Sequence, residues 1–182
     1  VGTEHDGDET ATLLGHYEKT VVISSLSKAY GLSGLRLGWV VGPEAAVAAC
    51  WRRHEYATIA TSALSMSVGE FAVDPSRRAA LFDRSRRYIA AGHRAINEWA
   101  STTDAGISVT PAKATPVSFV RLPASVRSVE FAQRLVEQAS VLVAPGAYFG
   151  GFDEHVRITA ARNLDELRPA LALVAELLRE SK

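Results

Sequence analysis

The sequence predicts an α/β fold, in which short strands alternate with longer helices. Runs rich in β-branched and aromatic residues near Val21 and Trp39 are typical of strands. They are followed by stretches in which apolar residues recur at helical spacing, and beyond Gly106 short apolar runs and helical stretches alternate again. With 182 residues, of which 47% are hydrophobic and 22% charged, the chain has the composition of an ordinary globular protein.

The first half is expected to contain two strands and then three helices. The predicted strands cover residues 20–25 and 39–41. The first two predicted helices cover residues 43–54 and 62–73, and Asp74-Pro75 ends the second of them. A long, arginine-rich amphipathic helix is predicted over residues 76–99, with its arginines on a solvated face.

The second half is expected to form a compact alternation of strands and helices. Predicted strands cover residues 107–110, 117–122, 141–143 and 156–159, with a helix over 129–139. A final helix follows Asn163, which with Glu166 three residues later matches a capping box. Pro169 lies early in that helix and removes one backbone hydrogen bond.

Composition also argues against several kinds of partner. Lys and Arg total 20 and Asp and Glu total 20, so the zero net charge does not favour nucleic acid. No apolar run is long enough to span a bilayer, so no membrane partner is expected. Cys50 is the single cysteine, which excludes an internal disulfide and favours a reducing compartment, the cytoplasm. No metal site is predicted.

The strongest chemical signal is the segment of residues 25–38, which reads SLSKAYGLSGLRLG. Lys28 follows the carboxyl end of a predicted strand, and ligands bind at this end of the strands in open α/β sheets. A lysine amine forms Schiff bases with carbonyls. Ser25 and Ser27 add hydroxyls, and the planar guanidinium of Arg36 suits a phosphate. Three glycines allow close approach to a ligand. The pattern predicts a site for an aldehyde that carries a phosphate, and pyridoxal 5′-phosphate (PLP) is such a molecule.

This segment resembles the PLP-attachment signature of class I/II aminotransferases. The resemblance implies that Lys28 forms the Schiff base with PLP and acts as the general base that moves a proton at the substrate Cα. It also implies that Ser25 and Arg36 bind the cofactor phosphate. Ser27 is a further cofactor-binding candidate, with the alternative that its hydroxyl simply bonds to backbone at the strand end.

Two later segments resemble landmarks of the same family. Residues 141–150, VLVAPGAYFG, resemble a strand followed by the family's P-G-x-x-F-G loop. Residues 155–159, HVRIT, resemble a strand with an arginine between apolar residues. Arg157 points away from its apolar neighbours and needs a partner, and the resemblance implies that it binds the α-carboxylate of an amino-acid substrate.

The resemblance also implies a domain organisation. Residues 1–77 would be a remnant of the large domain of a fold type I PLP-dependent transferase, and residues 78–182 a small carboxyl-terminal α+β domain. The family's aspartate that pairs with the PLP ring nitrogen would lie upstream of Val1. We therefore expect this chain to be the carboxyl-terminal half of a homodimeric enzyme and to be inactive alone.

The predicted reaction is the transfer of an amino group from an amino acid to a 2-oxo acid through PLP. Other PLP chemistry on the same scaffold remains open, namely decarboxylation, elimination or a cyclisation like that of capreomycidine synthase. The motifs do not fix which bond at Cα breaks. Two interpretations without catalysis also stay open, a regulatory domain that resembles an aminotransferase and a truncated, inactive product.

Overall fold

The computed structural model describes residues 2–6 and 9–181 and contains both helices and sheets. Its strands are β1 (Val22–Ser25), β2 (Gly38–Val41), β3 (Ser108–Val109), β4 (Val117–Arg121), β5 (Ala144–Pro145) and β6 (His155–Thr159). Its helices are α1 (Glu44–Thr58), α2 (Ala63–Val73), α3 (Pro75–Thr102), α4 (Ser128–Ala139) and α5 (Leu164–Arg179). This architecture confirms the predicted α/β class. In the described part of the chain, no helix is long and apolar enough to cross a membrane.

The chain forms two compact units, and the division falls between Arg86 and Arg87, inside α3. In the first unit, β1 and β2 form an antiparallel hairpin in which Ser25 lies opposite Gly38. A small core holds the loop of this hairpin against the helices and contains Leu26, Ala29, Tyr30, Ala72 and Phe82. The hairpin loop, which carries the segment that resembles a PLP-attachment signature, is therefore anchored from both sides of its lysine.

Local signals at the helix ends explain the boundaries in the first unit. The side chain of Ser62 caps α2 by accepting a hydrogen bond from the Ser65 backbone N–H, at 3.4 Å. Pro43 precedes the first turn of α1, which it favours because its φ is already near the helical value. This helix continues to Thr58, four residues beyond the predicted end, because no proline or glycine interrupts it.

The second unit is a four-stranded antiparallel sheet in the order β3-β4-β6-β5. Val120 and Val156, which lie opposite each other in β4 and β6, are fully buried. They belong to a large core that helices α3, α4 and α5 complete, with Ile96, Phe131, Leu135, Leu171, Val174 and Leu178. Because side chains alternate along a strand, Phe119 and Arg157 project from the opposite face of the sheet.

Two expectations for the second unit were wrong in detail. Residues 141–143 do not form a strand, because the Val141 backbone N–H bonds to the Leu135 carbonyl at 3.1 Å and completes the end of α4. Sheet pairing begins only at Ala144. The capping box before α5 is half formed: Asn163 accepts from the Asp165 N–H, whereas Glu166 pairs with Arg162 at 3.6 Å.

Candidate functional site

Lys28 lies in the loop between β1 and β2, and its side chain is exposed. Its neighbours Leu26 and Ala29 are buried in the core of the first unit. The loop backbone is closed by two hydrogen bonds, from Gly31 N–H to Lys28 O at 3.0 Å and from Leu32 N–H to Leu26 O at 2.9 Å. A fixed backbone thus presents an exposed amine at the end of the hairpin.

Ser25 and Arg36 lie at the same end of this hairpin. The Ser25 Oγ accepts the Ser27 backbone N–H at 3.3 Å, so the Ser25 hydroxyl proton can still be donated. Arg36 precedes β2 with a left-handed φ of 54° and donates one guanidinium N–H to the Ser33 carbonyl at 2.9 Å. Among the described residues, no carboxylate pairs with Arg36, and the Ser27 hydroxyl has no hydrogen-bond partner. Several donors therefore lie near one end of the hairpin and have N–H or O–H groups available to an anion.

The second unit contains a cleft of about 530 Å³ on the outer face of its sheet, beside Arg157. Arg157 is exposed, whereas Val156 and Ile158 on either side of it are buried in the core. The lining contains no carboxylate and consists of Thr110, Ala112, Thr115, Val117, Ser118, Phe119, Phe149, Phe152, His155 and Arg157. An arginine in an apolar cleft without a carboxylate is suited to bind an anionic ligand.

Aromatic rings form the floor of this cleft. Phe119 lies opposite Arg157 in the sheet, and the His155 ring stacks on it with the centroids 4.7 Å apart. The Phe149 ring approaches Phe119 edge-on at 6.3 Å, and the Arg157 Cζ lies 4.5 Å from the Phe149 ring centroid. The sequence motifs gave a binding role to Arg157 alone. Phe149 and His155 lie inside the quoted segments, but their contacts with Phe119 follow only from which strands pair.

A buried histidine supports the wall of the cleft and was also missed. His93 on α3 is 3% exposed, and its Nε2 lies 2.9 Å from the carbonyl oxygen of Thr115. Because a carbonyl can only accept, this nitrogen carries the proton, and Nδ1 accepts from the Ser118 hydroxyl at 3.0 Å. Thr115 has a φ of 81°, which is uncommon for a β-branched residue. The histidine therefore bonds to a strained residue of the cleft wall.

The sequence profile of the family described as "Aminotransferase class I and II" matches residues 1–173. The chain belongs to this aminotransferase family. Capreomycidine synthase of Streptomyces vinaceus is 31% identical over 174 residues, which cover 96% of this chain and 44% of that protein. Aromatic-amino-acid aminotransferase 2 of Thermococcus litoralis is 27% identical over 175 residues, covering 94% of the chain and 44% of the relative. The chain thus spans less than half the length of these relatives.

Solved aminotransferase structures share the fold of this chain. A PLP-dependent aminotransferase of Streptococcus suis superposes with a TM-score of 0.89 at 22% identity, over 98% of this chain and 47% of that one. LysN, the α-aminoadipate aminotransferase of Thermus thermophilus, superposes with a TM-score of 0.85 at 18% identity, over 99% of the chain and 48% of LysN. The fold expected from the resemblance, that of a fold type I aminotransferase, is confirmed.

Proposed function

We propose that this chain is the carboxyl-terminal part of a PLP-dependent aminotransferase, which transfers an amino group from an amino acid to a 2-oxo acid. The observation that carries the proposal is the hairpin loop, where an exposed lysine lies between Ser25 and Arg36 on a backbone fixed by buried neighbours. Family membership supports it, as does the LysN structure, whose bound compound is N-(5′-phosphopyridoxyl)-L-leucine.

The residues at the hairpin end fit the phosphate of PLP. A phosphate needs several converging donors, and the Ser25 hydroxyl and the free N–H groups of Arg36 supply them. Gly38, opposite Ser25, permits the close approach of the two strands, because a Cβ there would lie 2.9 Å from the Ser24 carbonyl oxygen. In this proposal Ser27 contributes a further donor and Lys28 is the residue that attaches the cofactor.

Each proposed residue has one chemical task. PLP, when bound, acts as an electron sink for the bonds at the amino-acid Cα. Lys28 Nζ takes the proton from Cα and returns it, and Arg36 with Ser25 holds the phosphate. Arg157 receives the α-carboxylate through a bidentate pair, which orients the bond that is to be broken.

The proposal extends to the organisation of the whole protein. Residues 1–77 would contribute to a large cofactor-binding domain, and residues 78–182 would form a small domain. We propose a cytoplasmic homodimer, since the chain has one exposed cysteine and α1 and α2 expose large apolar side chains, among them Trp51, Tyr56, Leu64 and Phe71. Sedimentation of the whole protein tests the dimer, and a monomer at micromolar concentration would contradict it.

The cofactor assignment is tested by chemical trapping. The whole protein is loaded with PLP and reduced with borohydride, and its peptides are mapped by mass spectrometry. We expect the label on the peptide that contains Lys28 and no label in Lys28→Ala. A label on another lysine, such as Lys113 or Lys19, would overturn the assignment.

Replacing Arg36 and replacing Arg157 should have different effects on the enzyme. Arg36→Ala should release PLP during dialysis, because the phosphate loses its charged donors. Arg157→Ala should retain PLP but raise the KM for the amino acid roughly tenfold to a hundredfold, through the loss of charge-assisted hydrogen bonds. Arg121→Ala is a matched control, since Arg121 lies on the same sheet and pairs with Glu154 at 3.9 Å. An unchanged KM in Arg157→Ala would refute the carboxylate role.

The type of reaction is settled by product analysis. The whole protein is incubated with a panel of amino acids and a 2-oxo acid acceptor, and 2-oxo products and new amino acids are quantified. We expect matched amounts of both. Release of CO2, or a cyclised product formed without consumption of the acceptor, would favour the alternative that the likeness to capreomycidine synthase suggests.

A further inference from the structure

The two arginines of the sheet, Arg121 and Arg157, differ in whether a carboxylate pairs with the guanidinium. Arg121 in β4 pairs with Glu154, at 3.9 Å. Arg157 in β6 has no ion pair and no hydrogen bond with any described residue, although it is surrounded by the side chains of a cleft. A long side chain without such partners samples several rotamers, so that binding a ligand would require it to be ordered first.

One contact does hold this side chain. The Arg157 Cζ lies 4.5 Å from the centroid of the Phe149 ring, a cation–π distance. Phe149 is supported in turn by Phe119, whose ring it meets at 6.3 Å and 88°, and Phe119 is stacked on His155. The ring beneath the arginine therefore belongs to a packed aromatic row, although Phe149 itself remains 39% exposed.

A ring contact of this kind suits an arginine that has to bind an anion. A carboxylate partner in the protein would neutralise the guanidinium, as Glu154 does for Arg121 at 3.9 Å, and at hydrogen-bond distance it would also occupy the N–H groups. An aromatic face contacts the guanidinium plane and leaves the N–H groups at its edge free. The ring can restrict the arginine before the ligand arrives, which lowers the entropic cost of binding.

We propose that Phe149 is a positioning residue, which orients the Arg157 guanidinium so that it receives the carboxylate of the amino-acid substrate. This inference rests on the carboxylate role proposed for Arg157. Phe149 acts through the arginine and is not itself the carboxylate ligand. Its position at the end of the short 3₁₀ helix Gly146–Phe149 gives the family-like P-G-x-x-F-G segment a specific task in this chain.

The test measures the binding of carboxylates that have no amino group, in the whole protein loaded with PLP. The probes are succinate, 4-methylpentanoate and 3-phenylpropionate, titrated by calorimetry, and the tightest binder is carried through the variants. Phe149→Leu keeps an apolar side chain but removes the ring, and we expect its Kd to rise roughly twofold to thirtyfold. Phe149→Tyr keeps the ring and should bind like the unmodified protein.

Tyr148→Leu is the matched control, because Tyr148 lies in the same turn, is 72% exposed and does not line the cleft. We expect no change in its Kd. If Phe149→Leu also binds like the unmodified protein, the ring has no role in positioning and the inference is wrong. If Phe149→Tyr loses as much affinity as Phe149→Leu, the ring face is not what matters, which also overturns it.

The double variant separates action through the arginine from direct contact with the ligand. In the Arg157→Ala background, Phe149→Leu should cause no further loss, since nothing remains to be positioned. A loss of equal size in both backgrounds would overturn the inference. If Arg157→Ala alone leaves the Kd unchanged, the carboxylate role proposed for Arg157 is wrong, and the inference about Phe149 is wrong with it. If Arg157→Ala weakens binding but Phe149→Leu does not, only the role of Phe149 fails.

Discussion

Gly146, the first residue of the 3₁₀ helix beneath the cleft, tolerates no side chain. A Cβ built there would lie 2.5 Å from the carbonyl oxygen of His155, and closer still to that of Phe152. Ordinary contact begins at 3.4 Å, so Gly146→Ala must push the His155 backbone by about 0.9 Å and the Phe152 backbone further. Because backbone carbonyls cannot rotate away, we expect a cost at the upper end of the range for overpacked sites, about 3 kcal/mol.

Hydrogen exchange of the β6 amides in the whole protein measures this cost locally. A loss of about 3 kcal/mol should speed their exchange roughly a hundredfold or more. Gly151→Ala is the control from the same loop: its φ is 87°, but nothing lies within 4 Å of the added Cβ. It carries only the left-handed strain, about 1–2 kcal/mol. If Gly146→Ala speeds exchange no more than Gly151→Ala, the steric reasoning is wrong.

Three further predictions concern the buried histidine, a buried carboxyl and the chain alone. Ser118→Ala removes the hydroxyl that donates to the His93 Nδ1 and should lower the free energy of urea unfolding by roughly 0.5–1.5 kcal/mol, whereas the exposed Ser108→Ala should change it little. Burial raises the pKa of the Glu4 carboxyl, but hydrogen bonds outweigh it and lower that pKa from 4.5 to about 2. The ionised Glu4 carboxylate therefore stabilises the folded chain fully above pH 4.5, and this contribution is lost as the pH falls towards 2. The measurement is the free energy of unfolding over a pH series, and the same loss in Glu4→Gln would contradict the prediction. The 182-residue chain assayed alone, with several amino donors and saturating PLP, should be catalytically silent, and turnover equal to that of the whole protein would disprove it.

Local signals predicted most of the helices and strands. The α2 helix follows its serine cap and ends before proline, and β6 shows the alternation that puts Val156 and Ile158 in the core. The strand expected at 141–143 failed for a physical reason. The apolar run of residues 141–143 indicates burial, and Val143 is indeed buried. Burial, however, does not determine which backbone groups form hydrogen bonds. The turn that ends α4 had already used the Val141 N–H.

The candidate site was predictable to the extent that its chemistry is local. The residues from Ser25 to Arg36 lie in one segment, so the combination of lysine, hydroxyls, arginine and glycines predicted a site for a phosphate-bearing aldehyde. The rings beneath Arg157 come from β4, from the loop before β6 and from β6 itself, and they meet only because Phe119 lies opposite Arg157 in the sheet. Such pairing depends on contacts between distant segments, which no local pattern encodes.

Positive φ angles occur at helix ends and in the wall of the Arg157 cleft. Four described residues other than glycine have a positive φ. Arg36 and Ser140 follow the 3₁₀ helix Ser33–Leu35 and α4 in the left-handed conformation that completes a last turn. Ile59 follows α1 with a φ of 64° and a ψ of −69°. Thr115 lines the Arg157 cleft at a φ of 81° without any helix end to account for it. A β-branched residue keeps such a conformation only where its surroundings impose it, and here His93 bonds to its carbonyl. Backbone strain of this kind is found more often at ligand-binding sites than at positions that serve packing alone. The unusual φ of Thr115 therefore supports the proposal that the Arg157 cleft is a functional part of this chain.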